Sequence, residues 1–173
     1  MFTKLCRYLA KRKLRRRISR KIIPLNSLNK SDLSNANLNG LDLCGVKLAE
    51  SNLARIKLAR ANLQGSVMSS CDLSDSVFVN ANLTYANFSC SNMRGACLRG
   101  AILRSANFEG ADLSYADLCD IRVDEKTNFS GADLRHATFD EERIRAICIT
   151  PGMLVKKARF YDRILYYAGC IHR

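Results

Sequence analysis

A chain of 173 residues, 47% of them hydrophobic, is long enough for one domain with a core and too apolar for wholesale disorder. Its net charge of +12 favours anionic partners. The eight cysteines form no Cys-x-x-Cys pair and have no histidine at metal-ligand spacing, which argues against a zinc site; they read as small apolar fillers and surface thiols in a reducing compartment.

The charge is uneven along the chain. Residues 1–23 hold ten Lys or Arg and no acid, whereas residues 24–140 hold eleven bases against thirteen acids. The first segment, 1–24, is therefore a basic arm. Phe2, Leu5 and Leu9 share one helix face and Leu14, Ile18 and Ile22 another, nearly opposite, so a helix broken near Lys13 fits as well as a solvated tail does. The candidates for polyanion contact are Lys11, Arg12, Lys13, Arg15, Arg16, Arg17, Arg20 and Lys21. They carry no base-reading motif, so nucleic-acid binding through them would be nonspecific and salt-sensitive. An anionic membrane would attract the same residues at about 1 kcal/mol each. A secretory signal needs an apolar run after its basic start, and Lys11–Arg17 is almost entirely basic, so none is expected. The longest apolar run, Ile164–Ile171, is too short to span a bilayer.

From Leu28 every fifth residue is large and apolar: Leu28, Leu33, Leu38, Leu43 and onward without a break to Val123, with Met68, Phe78, Phe88, Met93 and Phe108 among them. Two residues before each stands, in most repeats, a small one, such as Ala36, Ala61, Ser66 or Ser76; Leu41, Val46, Ile56 and Ile121 are larger exceptions. Between the two is most often Asn or Asp, as at Asp32, Asn37, Asn62, Asn82, Asn107 and Asp112. A period of five matches neither a helix nor an alternating strand. It suits a chain that turns a corner every five residues, closes a square coil in twenty, and points the small and large residues inward. Residues twenty apart then stack: Phe88 on Phe108 with Met68 below, Asp32, Asn52, Asp72, Asn92 and Asp112 along one edge, and the pairs Lys30–Glu50 and Arg55–Asp75. The phase slips by one after Val123 and resumes at Phe129, Leu134 and Phe139, which places a bulge or small loop at residues 124–128 of a solenoid spanning 25–141.

Residues 142–173 have a different pattern. Leu154, Ala158, Tyr161, Leu165 and Ala168 recur at helical spacing after Pro151, with Lys156, Lys157, Arg159 and Arg163 largely opposite and Gly169 at the end. This helix would cover the open end of the solenoid or join two copies, with Leu154, Tyr161 and Leu165 as the cap or dimer contacts.

The segments Ala36-Asn37-Leu38-Asn39-Gly40, Ala111-Asp112-Leu113-Ser114-Tyr115 and Ala132-Asp133-Leu134-Arg135-His136 give the chain a signature that resembles the pentapeptide-repeat family over about two thirds of its length. The resemblance implies an all-β fold, a right-handed quadrilateral β-helix; some six coils at about 4.8 Å each make a rod on the order of 28 Å long. It also implies that a C-terminal helix can join two rods end to end.

Function is less constrained. The sequence holds no Gly-rich phosphate loop, no paired metal ligands and no nucleophile beside a base, so neither an enzyme nor a cofactor is expected. An interaction scaffold with a protein partner is the first reading. Topoisomerase protection is an alternative, since some members of the resembled family mimic DNA in the gyrase site; here Arg55, Lys57, Arg60, Arg94, Arg99 and Arg104 interrupt any acidic face. A secreted bacterial effector held at a membrane by its basic arm is another. The expected setting is the bacterial cytoplasm, or a host cell reached by a route independent of a signal peptide.

Overall fold

The computed structural model describes residues 28–140, which form one continuous solenoid. Its strands are reduced to single parallel bridges, spaced five residues apart along the chain and twenty residues apart across it, as in Asp32 to Asn52, Asn37 to Lys57, Asp42 to Asn62 and Lys47 to Val67. These four define four sides, taken below in that order. The basic arm and the C-terminal segment with Leu154, Tyr161 and Leu165 lie outside the described residues.

Most five-residue sides account for their backbone donors in one way, because buried N–H groups must find acceptors. On the first side the large residue donates to the next coil, Leu33 N–H to the Asn52 carbonyl at 2.8 Å, and the middle residue to the coil before, Asn52 N–H to the Ser31 carbonyl at 2.9 Å. The small residue closes a β-turn, Ala36 N–H to the Leu33 carbonyl at 3.0 Å, and the second turn residue again donates forward, Asn35 N–H to the Ala54 carbonyl at 2.8 Å. One donor, on the first turn residue, is left over. Asn or Asp at the middle position takes it: Ser34 N–H reaches Asp32 Oδ1 at 3.2 Å, and Ser114 N–H reaches Asp112 Oδ1 at 2.9 Å. The Asn/Asp preference thus follows from backbone accounting, in the manner of an Asx-turn.

The second turn residue lies in the left-handed region at each regular corner, from Lys30 at φ 58° to His136 at φ 61°. All seven described glycines occupy this position, among them Gly40 and Gly95. In the sequence the trace of this requirement is the common phase of these glycines.

Inside, the large and small columns are buried as the period predicts, and the oversized Leu41, Val46, Ile56 and Ile121 point inward with the rest. Phe88 and Phe108 stack at 5.1 Å between ring centroids and 7° between planes, Phe108 and Phe129 repeat that geometry, and Phe78 meets Phe88 edge-on. Val123 and Phe139, in the last coils, are partly buried against this core.

The phase slip is an ordered bulge. Bridges shift from a spacing of twenty at Ile102–Arg122 to twenty-one at Asn107–Asn128. Asp124 holds the extra residue in place: its carboxylate accepts from Ser105 N–H at 2.8 Å, the Ser105 hydroxyl at 2.9 Å, the Thr127 hydroxyl at 3.0 Å and Lys126 N–H at 3.1 Å. Burial pushes this carboxyl upward, but the bonds from Ser105, Thr127 and Lys126 outweigh it and hold the group below the usual carboxylate range.

Candidate interaction surface

With the interior occupied by its own side chains, the described part of the molecule offers a ligand its outer sides and corners rather than an internal cavity. The first side carries Asp32, Asn52, Asp72, Asn92, Asp112 and Asp133 in line. Asn92 donates its amide to Asp72 Oδ1 at 3.2 Å, so the interleaved amide relieves the repulsion a pure carboxylate column would have. The third side continues the theme with Asn62 to Asp42 at 2.9 Å and Asn82 to Asn62 at 3.1 Å, then changes to Ile102 and Arg122. The second side is mixed: Asn37, Lys57, Val77, Cys97, Asp117 and Thr138.

Two clusters stand out at the corners. After the first side, the Arg94 guanidinium lies 4.1 Å over the Tyr115 ring, and Tyr115 stacks on His136 with centroids 4.7 Å apart. Arg94 also donates to the Ser114 hydroxyl at 3.0 Å, while Arg135 grips Asp133 through two nitrogens. Tyr115 remains 51% exposed. Arg94, Tyr115 and His136 fall into one stack only because the bulge changes the register between the last two, a coincidence hidden from a strict period of twenty. After the second side, Arg99 pairs with Asp117 at 3.0 Å and Asp120 at 3.7 Å. Burial raises the Asp117 carboxyl, yet the Cys119 and Arg99 bonds dominate and keep it low. Exposed pairs of this kind contribute only ~0–1 kcal/mol.

Of the expected cross-coil pairs, Lys30 and Glu50 meet at 3.2 Å. Arg55 instead turns toward the preceding coil and donates from Nε to Asn35 Oδ1 at 3.0 Å. The thiols split between interior and surface: Cys71 is buried and its pKa is pushed up to about 11, chiefly by burial, so it is inert as a nucleophile, whereas Cys44 and Cys90 are exposed. Among the described residues no group of His, Cys, Asp and Glu is placed to hold a metal ion. The polyanion candidates Lys11, Arg12, Lys13, Arg15, Arg16, Arg17, Arg20 and Lys21 lie outside those residues.

A family model described as pentapeptide repeats matches residues 27–65, 61–100 and 92–120, in eight copies. Solved structures similar to the chain include the pentapeptide-repeat protein Rfr23 from the cyanobacterium Cyanothece 51142, at 23% identity over 78% of this chain and 84% of that one, with a TM-score of 0.39. HetL from the cyanobacterium Nostoc sp. strain PCC 7120, a pentapeptide-repeat protein involved in heterocyst differentiation regulation, matches at 16% identity over 85% and 93%, with a TM-score of 0.37. QnrB1, a plasmid-mediated fluoroquinolone resistance protein, matches at 14% identity over 85% and 92%, with a TM-score of 0.41. No curated protein matches the sequence.

Proposed function

This chain belongs to the pentapeptide-repeat family, whose members fold as right-handed β-helices, and on that premise we propose that it is a non-enzymatic interaction scaffold. In this reading a rigid rod binds a protein partner through its outer surface. The basic arm, residues 1–23, contacts an anionic membrane or, without sequence preference, nucleic acid. The observation that carries the proposal is the filled interior: the Leu, Met and Phe columns are fully buried from Leu53 to Leu118, so the sides and corners are what a partner can reach. The arm's part rests on its ten positive charges without an acid. The C-terminal segment, through Leu154, Tyr161 and Leu165, caps the rod or pairs it with a second copy. The proposed setting is the bacterial cytoplasm or a host cell that the protein enters.

The four aspartates of the first side favour the DNA-mimic alternative, in which the rod itself occupies gyrase. Each of them, however, accepts the N–H of its own turn, which accounts for its place without a ligand. Binding of the full chain and of a chain lacking residues 1–23 to anionic vesicles and to duplex DNA, measured across a salt series, separates the readings. The proposal expects binding that weakens steeply with salt and disappears on truncation, with the thermal melt of the rod nearly unchanged. Undiminished binding by the truncated chain would overturn the role of the arm, and full-strength protection of gyrase by that chain would favour the mimic.

A further inference from the structure

We draw no further inference here: the strongest candidate, the surface stack of Arg94, Tyr115 and His136 at the corner after the first side, carries nothing, because nothing in the structure shows what covers it.

Discussion

The first and second sides of the rod share one backbone geometry and differ in what stands at the middle of each repeat. On the first side all six middle residues are Asn or Asp, and each accepts the N–H of its own turn, from Ser34, Ala54, Ser74, Arg94, Ser114 and Arg135 at 2.9–3.2 Å. On the second side only Asn37 and Asp117 do this, for Asn39 and Cys119. Where Lys57 replaces the acceptor, the Ala59 N–H borrows Asn39 Oδ1 from the coil before, at 2.8 Å. Where Val77 and Cys97 replace it, the N–H groups of Val79 and Arg99 have no acceptor among the described residues. The lesson concerns function as much as fold. An outward carboxylate at the middle of a repeat serves the backbone first, so a row of them is weak evidence for an anionic binding face.

Behind both sides lies the same core, and breaking it has the largest expected effect. Replacing Phe88 with Ala removes the ring that stacks on Phe108 and meets Phe78, and should cost about 3–5 kcal/mol in chemical denaturation. A loss under about 1 kcal/mol, below that range, would mean that the columns are not packed as described.

Asp124 extends the comparison to the bulge, where one carboxylate serves four donors instead of one. Asp124→Ala should cost about 2 kcal/mol, more than losing any first-side acceptor. The pH dependence follows from the direction of the shift. Asp124 and Asp117 are both held below the ordinary carboxyl value in the folded protein. Their contribution is therefore full above the unfolded pKa of about 3.9 and is lost as pH falls through the lower folded value. Acid titration of stability should show this loss in the wild type and a smaller one in Asp124→Ala; equal acid sensitivity would sink the assignment.

A reciprocal pair sharpens the contrast between sides. Asn92→Leu removes the acceptor for Arg94 N–H and the donor to Asp72, and should cost about 1 kcal/mol. Val77→Asn installs an acceptor where Val79 N–H lacks one, and should be neutral or stabilising by about 0.5 kcal/mol. The opposite order in paired denaturation curves would show that the middle position is not governed by the turn.

The period-five columns made the coil, its inward faces and the phase slip after Val123 legible in the sequence, because burial selects residue size at fixed spacing. The Asn/Asp row was visible as a pattern, but its cause was not: it depends on one N–H left over by bonds to two neighbouring coils. Arg55 bonds to Asn35 and not to Asp75, a choice that spacing cannot make because the two residues are equally spaced from it along the rod. The stack of Arg94, Tyr115 and His136 combines the legible bulge with side-chain paths, and it is the paths that residue spacing does not encode. The sequence located polyanion and cap candidates in the two terminal segments, outside residues 28–140, by charge and helical periodicity.

Native-state hydrogen exchange at individual turn amides tests the central structural claim most directly. The account predicts that the N–H groups of Ser34, Ser74, Arg94 and Ser114, each held by its own Asp or Asn, exchange more slowly than those of Val79 and Arg99 at matched positions on the second side. Equal exchange at the two sets would contradict it, and would return the first-side aspartates to consideration as a surface shaped for a partner.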